Sequence, residues 1–164
     1  MNEETACGWK AFTKASLNTP FDYGLVLTMN RYGNQITQIA FNPYMGGCGE
    51  ICIRHKYDDV WREWEYVNPP MLLGVEYRTT ERFFGKPVYT IAFNFGALPN
   101  ASTAYVGIPS PAAGFTTCVS AFAHTHTGSL LNVIDSVSSF SVWIKTNEDY
   151  SDEQAYITIK YTKD

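Results

Sequence analysis

The stretch Val88-Tyr89-Thr90-Ile91-Ala92-Phe93-Asn94-Phe95 places a large apolar side chain at every second position. Successive side chains of a strand point to opposite faces. One face of a sheet would therefore carry the four large residues Tyr89, Ile91, Phe93 and Phe95. The same period of two recurs in residues 140–146 and 154–161. No segment longer than about ten residues keeps the 3.6-residue period of a helix. The sequence therefore predicts an all-β fold.

The composition supports the same fold class and excludes several functions. Valine, isoleucine, threonine and aromatic residues, which favour strands, outnumber leucine, glutamate, glutamine and lysine. The 164 residues allow one ordinary domain or two small ones, and 45% hydrophobic residues can form a core. The net charge of −4 offers no basic field to nucleic acid. No apolar run approaches the roughly 18 to 20 residues that cross a bilayer, so we expect neither a nucleic-acid partner nor membrane insertion.

The N-terminal residues and the cysteines indicate where the protein is made. The first residues, Met1-Asn2-Glu3-Glu4, are acidic and unlike a signal peptide. The four cysteines are too sparse for a disulfide scaffold and contain no Cys-x-x-Cys pair for zinc. The Cys48-to-Cys52 spacing is interpreted as a turn into a strand. Reduced thiols in a protein made in the cytoplasm are the expectation.

Turn residues divide the chain into two β-rich blocks. Strand-like runs recur up to Asn68-Pro69-Pro70, which predicts a first domain over residues 1–70. Residues 71–84, with their charged stretch, are predicted to be a connector. Residues 85–164 carry the strongest alternation and predict a β-sandwich.

Two patterns in the first block predict local geometry. In residues 51–55 isoleucine alternates with small and polar partners, as expected of a sheet with one buried face. Trp61 and Trp64 are three residues apart and cannot both face one side of a regular strand. We expect a bulge between them; the alternatives are a helical turn or the exposure of one of the two rings.

Enzyme motifs are absent from the sequence. There is no nucleophile elbow, no P-loop and no dinucleotide-binding glycine motif. A convergent pair of carboxylates could hydrolyse a glycosidic bond, and candidates exist at Asp58, Asp59, Glu63 and Glu65. Acidic residues near turns are common without catalysis, so we predict that the chain is not an enzyme.

The spacing His124-Thr125-His126 is typical of a pair of metal ligands. In an extended segment His124 and His126 would project from one face, and two imidazoles can contribute to a divalent metal site. Two ligands are too few for a tight site in one chain. A threefold assembly would supply six imidazoles on its axis, an octahedral arrangement known in trimeric viral fibres. The alternative is a pair of surface or packed histidines; no other cofactor is expected.

Aromatic residues form 15% of the chain, more than a core of this size requires. Exposed rings can stack on sugars, and five rings lie beside polar or charged residues: Trp61, Trp64, Tyr66, Trp143 and Tyr150. In the predicted site a ring supplies an apolar face while amide and carboxylate groups orient hydroxyls. The predicted ligand-binding set is Trp143, Asn147, Asp149 and Tyr150, although each ring could instead belong to a core.

Two groups of motifs resemble a known family. The first block contains Asn18-Thr19-Pro20-Phe21-Asp22-Tyr23-Gly24, Arg31-Tyr32-Gly33-Asn34-Gln35-Ile36-Thr37-Gln38 and Trp61-Arg62-Glu63-Trp64, which resemble the knob domain of pyocin-type and phage tail fibres. The second contains Gly85-Lys86-Pro87-Val88-Tyr89 and the terminal Tyr161-Thr162-Lys163. These motifs resemble the C-terminal domain of tail-fibre proteins from phages and prophages of gut bacteria.

The resemblance implies a virion component at the tip of a tail fibre, and a homotrimer. It further implies a small antiparallel knob-like domain followed by a β-sandwich that binds a bacterial cell-surface glycan or protein. The long shaft of full-length fibres is absent, so the chain is expected to be a C-terminal fragment or a short separate tip. Three alternatives remain: a carbohydrate-binding module or adhesin outside any phage, a fibre-borne glycan hydrolase, and a purely structural adapter.

Overall fold

The computed structural model describes residues 6–43, 49–98, 105–109, 114–128, 130–131, 134–138, 141–146 and 149–164. These ranges contain strands and no helix, which confirms the all-β fold. None of the described segments is therefore a helix long and apolar enough to cross a membrane. The strands are β1 (Gly8–Phe12), β2 (Gly24–Asn30), β3 (Gln35–Phe41), β4 (Ile51–Tyr57), β5 (Val60–Trp61), β6 (Glu65–Tyr66), β7 (Glu76–Phe83), β8 (Lys86–Ala97), β9 (Tyr105–Pro109), β10 (Phe115–Thr125), β11 (Leu130–Leu131), β12 (Ile134–Val137), β13 (Ser141–Lys145) and β14 (Gln154–Lys163).

The chain forms two compact units. The first comprises residues 1–70 together with 78–80, and the second comprises residues 71–77 and 81–164. Each unit has its own cluster of buried side chains. The division lies beside Pro69-Pro70, where the turn residues end the first block.

The first unit is built on an antiparallel meander of β1 to β4. Strands β5 and β6 both pair with β4, and β6 pairs in parallel with β7 through Tyr66 and Thr79. The apolar core consists of Phe12, Val26, Ala40 and Cys52. Gly24 permits the close approach of two strands, because a Cβ there would lie 2.5 Å from the Phe41 carbonyl oxygen and 2.6 Å from the Phe12 ring.

The buried face of β4 is the one that carries the polar and small residues. Cys52 and Arg54 are 0% and 3% exposed, whereas Ile51 and Ile53 are only half-buried. The sheet register explains this, since Cys52 lies opposite the buried Ala40, and Arg54 lies opposite the buried Gln38. Alternation correctly predicts one buried face here, but hydrophobicity alone does not identify which set of side chains occupies it.

The second unit is a two-layer β-sandwich. One sheet has the order β8-β14-β10-β11 and the other β12-β13-β9, and neighbouring strands in both are antiparallel. Ile91 and Phe93 of β8 lie opposite Ile159 and Ile157 of β14. Val142 and Ile144 of the second sheet belong to the same buried cluster. The prediction that Tyr89, Ile91, Phe93 and Phe95 share a core face is confirmed.

The predicted connector of residues 71–84 contains a strand, β7. Tyr77 and Thr79 are buried on one face of β7, so burial alternates along the strand. The many charged residues hide this alternation in a hydrophobicity pattern. The charged side chains are paired: Glu76 with Lys163 at 2.5 Å, Arg78 with Glu65 at 3.0 Å and Glu81 with Lys160 at 2.6 Å. The residues predicted as a connector thus include a strand, because ion pairs with residues elsewhere in the chain allow a charged segment to join a sheet.

Replacing Ile157 with alanine should destabilise the second unit. Ile157 is completely buried in the sandwich core. Removing a buried isoleucine to alanine usually lowers the free energy of unfolding by about 2–5 kcal/mol. Urea unfolding should show this loss for Ile157→Ala, while Leu72→Ala, at a 61% exposed position of the same unit, should change stability by less than about 0.5 kcal/mol. Equal stabilities for the two variants would contradict the assigned core.

Thiol labelling tests which face of β4 is buried. Burial raises the pKa of the Cys52 thiol to about 12, and the nearby Glu50 carboxylate adds to this rise. The thiolate is the reactive form, so at pH 8 Cys52 should resist iodoacetamide while the exposed Cys7 reacts. Peptide mapping by mass spectrometry distinguishes the two, and urea should make Cys52 reactive. Labelling of Cys52 at the rate of Cys7 in the folded protein would place the isoleucine face inward instead.

Candidate functional site

A groove of about 410 Å³ opens in the first unit. It is lined by Asn18 and Thr19 from the segment between β1 and β2, by Arg54 of β4, and by residues 61–64. Aromatic, amide, hydroxyl and charged groups thus meet in one concave surface. That mixture is suited to a polar ligand with an apolar face.

The bulge between β5 and β6 places both indole rings against one guanidinium. Ile53 pairs with Glu65 and Lys56 pairs with Trp61, so three residues on one strand oppose two on β4. This is the extra residue expected of a bulge. The Arg54 guanidinium carbon lies 4.3 Å from the ring centroid of Trp61 and 4.3 Å from that of Trp64.

A row of buried polar side chains holds Arg54 in place. Its Nε and Nη2 atoms donate hydrogen bonds to Gln38 Oε1 at 2.9 and 2.7 Å. Gln38 Nε2 in turn donates to Thr28 Oγ1 at 3.1 Å. Burial lowers the pKa of Arg54 to about 10, so the side chain stays cationic at neutral pH. Hydrogen bonds and ring faces offset part of the cost of burying this cation.

The segment before β2 is tied to the same cluster. Trp64 Nε1 donates a hydrogen bond to the Asn18 carbonyl oxygen at 2.9 Å, and Tyr66 Oη donates to the Pro20 carbonyl oxygen at 3.3 Å. Asn18 has a left-handed φ of 54°, a conformation that asparagine tolerates better than most residues. These bonds fix one wall of the groove relative to the indole rings.

Each of the four candidate carboxylates has a side-chain partner, and two of them share one arginine. Glu63 and Glu65 both bind Arg78, at 2.7 and 3.0 Å. Asp58 accepts a hydrogen bond from Asn34 at 3.3 Å, and Asp59 pairs with Lys56 at 2.7 Å. Asp58 and Asp59 also have positive φ angles of 46° and 63°, as in a tight turn between β4 and β5. Ion pairing and turn formation therefore account for these four side chains.

The same unit contains a larger groove of about 590 Å³. Its lining includes Met29, Arg31, Thr37, His55 and Tyr57. The His55 and Thr37 side chains bind each other, with Nδ1 and Oγ1 3.0 Å apart. Arg31, His55 and Tyr57 are exposed, whereas the groove beside Arg54 rests on a buried polar row. Preorganised groups make the smaller groove the better candidate for a site.

The described members of the predicted binding set in the second unit each have their own neighbours. Trp143 lies on β13 between the buried Val142 and Ile144, is 42% exposed, and donates from Nε1 to Ser141 Oγ at 2.8 Å. Tyr150 is half-buried against the sandwich core. The backbone amide of Ser151 donates to Asp149 Oδ1 at 3.0 Å, which lowers the pKa of Asp149. Asn147 lies outside the described residues, as does Cys48.

The two predicted metal ligands have different surroundings. His124 is half-buried on β10 and stacks on Tyr156 with ring centroids 5.9 Å apart. His126 lies in the following turn, with Nδ1 3.5 Å from Glu153 Oε2. Within the described ranges no three His, Cys, Asp or Glu side chains cluster as a metal site. The residues of one chain do not fit a complete site, and the threefold site stays a prediction.

Elemental analysis tests the threefold metal site. Protein purified without a histidine tag should contain about one metal ion per three chains, and His124→Ala or His126→Ala should abolish it. Chelation should then lower the melting temperature of the assembly, because metal binding stabilises the folded form. A metal-free trimer whose melting temperature is unchanged by chelation would contradict the prediction.

Arg54 and Gln38 are the site residues that the sequence motifs did not identify. Arg54 lies two residues after Cys52, on the same face of β4, but the sequence does not show that this face is the buried one. A charged residue on a buried face needs hydrogen-bond or ring partners. Gln38 and the two tryptophans supply them from β3 and from the bulge.

No family model matches the chain, and no curated protein matches it significantly. Three similar solved structures are tail-fibre fragments, the class that the sequence resembles. A C-terminal fragment of the R1 pyocin fibre of P. aeruginosa has 15% identity, a TM-score of 0.35, and coverage of 97% of this chain and 64% of that one. The corresponding R2 fragment of P. aeruginosa has 12% identity and a TM-score of 0.36, and the match covers 97% of this chain and 63% of that one. An N-truncated R2-type pyocin tail fibre has 12% identity and a TM-score of 0.33, and the match covers 95% of this chain and 91% of that one. This chain thus spans less than two thirds of the R1 fragment.

Proposed function

We propose that the chain is the surface-binding tip of a phage-type tail fibre and binds a bacterial cell-surface saccharide in the groove beside Arg54. The sequence resemblance to fibre knob and C-terminal domains supports the biological setting. The observation that carries the binding proposal is the Arg54 cluster, in which two indole rings are fixed beside a polar wall. Trp61 supplies an apolar face for a sugar ring, while Asn18 and Thr19 can hydrogen-bond its hydroxyl groups.

The proposed assembly is a homotrimer in the virion, made in the bacterial cytoplasm and carried at the fibre tip. Three copies per fibre and several fibres per particle allow each groove to bind weakly. Multivalency can raise apparent affinity by roughly 10² to 10⁴ when the sites engage together. A shallow, open groove is adequate for such a mechanism.

The exposed indole of Trp143 supports a second candidate position. Its neighbours Val142 and Ile144 anchor the strand in the core, so the ring is held on a rigid support. In this version Trp143 provides the stacking face and Asp149, with Asn147, orients the sugar. The groove beside Arg54 is favoured because its indoles, cation and polar wall line a common concave surface.

A carbohydrate-binding module or adhesin outside any phage is the alternative function. It would use the same kind of groove but as a monomer. The mass of the purified chain in solution separates a trimeric fibre tip from a monomeric module. A protein receptor is separated from a glycan by periodate, which destroys vicinal diols of sugars and should abolish binding only to a glycan.

Tryptophan substitutions on binding cells test the proposed site. The labelled full chain should bind some strains of a panel of gut bacteria and lose binding after periodate treatment of the cells. Trp61→Ala should weaken this binding at least about ten-fold, since truncating a buried aromatic anchor commonly costs more than about 1.4 kcal/mol. Trp9→Ala, at a 61% exposed tryptophan of the same unit, is the matched control.

The binding of the Trp61→Ala and Trp143→Ala variants distinguishes the two candidate positions. Circular dichroism should confirm that every variant stays folded. Loss of binding in Trp143→Ala with unchanged binding in Trp61→Ala would move the site to the second unit. The absence of binding to every strain would contradict the receptor-binding function and favour a purely structural part of the fibre.

A further inference from the structure

We propose that the groove beside Arg54 selects saccharides that carry a negative charge, either a carboxylate or a phosphate group. This inference rests on the proposed saccharide-binding function and adds the chemical class of the ligand. It depends on which charges around the groove are already paired and which are available.

The carboxylates near the groove are both engaged by one arginine. Arg78 Nη1 binds Glu63 at 2.7 Å, and Arg78 Nη2 binds Glu65 at 3.0 Å. Glu65 is buried, so its charge is directed into this ion pair rather than towards solvent. The arrangement reduces the negative potential that Glu63 would otherwise contribute to the groove wall.

Two arginines line the groove itself. Arg54 is buried and fixed by Gln38, and it contributes a permanent positive charge to the floor. Arg62 is exposed on the bulge, where its backbone amide donates to the His55 carbonyl oxygen at 2.8 Å. Within the described part of the chain the Arg62 side chain has neither an ion-pair nor a hydrogen-bond partner. Its guanidinium is therefore available to a ligand in the groove.

The chemistry of guanidinium defines the complementary ligand. Its planar donors match the geometry of a carboxylate or phosphate and can bind either group through two parallel hydrogen bonds. A sugar stacked on Trp61 would place an acidic substituent beside Arg62, the next residue in the chain. The field of Arg54 favours the same sign of ligand charge, without any need for direct contact.

The two arginines that line the groove contrast with the negative charge of the whole chain. With a formal charge of −4, the protein as a whole has no electrostatic attraction to an acidic surface. A groove with two lining arginines, and with its carboxylates paired to a third, reverses that sign locally. Binding should therefore depend on salt concentration, because exposed charges are screened by added ions.

Chemical modification of the ligand provides the test. Surface polysaccharide would be extracted from a strain that the full chain binds, and its affinity measured before and after carboxyl reduction or, separately, dephosphorylation. One of the two treatments should lower the affinity about ten-fold or more, which identifies the acidic group. Arg62→Gln should cause a similar loss on the untreated polysaccharide. Arg62→Lys should lose less, and Arg31→Gln, a control with the same change in net charge, should not differ from the parent chain.

The results separate this inference from the function on which it rests. Strong binding that survives both treatments, and is unchanged in Arg62→Gln, would overturn the inference while leaving saccharide binding intact. A treatment effect without any effect of Arg62→Gln would place the charge-selective site elsewhere and also overturn it. Failure of the parent chain to bind any surface polysaccharide would reject the proposed function and this inference together.

Discussion

The first unit depends on the burial of one positive charge. The Arg54 guanidinium lies on the inner face of a sheet, where an unpaired ion would be strongly destabilising. Gln38, hydrogen-bonded in turn to Thr28, accepts two of its hydrogen bonds, and the faces of Trp61 and Trp64 cover it. The bulge between β5 and β6 places both indoles against this cation. The same contacts that stabilise the fold therefore also define the groove.

The two units bury different kinds of side chain. In the sandwich, β8 and β14 contribute isoleucine and aromatic side chains to an apolar core shared with β13. In the first unit a small apolar cluster lies beside a buried polar row. A polar row is directional, because each hydrogen bond constrains the orientation of its partners. We regard this difference as the physical reason that the better organised groove lies in the first unit, even though the sandwich has the larger core.

Strand periodicity alone was sufficient to predict the all-β fold, the shared core face of Tyr89, Ile91, Phe93 and Phe95, and the bulge between Trp61 and Trp64. The strand β7 was missed because its charges resemble those of a solvent-exposed connector, and their partners at Lys160 and Lys163 lie about 80 residues away. The residues of the candidate site were predicted only in part for a similar reason. Trp61 and Trp64 were candidates from the sequence, but the cation that joins them reaches them through sheet register. Pairing between strands is a long-range property that a local pattern does not contain.

The indole N–H resonances of the four tryptophans offer the most direct test of saccharide binding beside Arg54. A two-dimensional NMR spectrum of ¹⁵N-labelled protein would be recorded during titration with polysaccharide fragments from a strain that the chain binds. The account predicts that the signals of Trp61 and Trp64 move while those of Trp9 and Trp143 stay in place. Movement of the Trp143 signal alone, or binding that leaves all four unchanged, would contradict it.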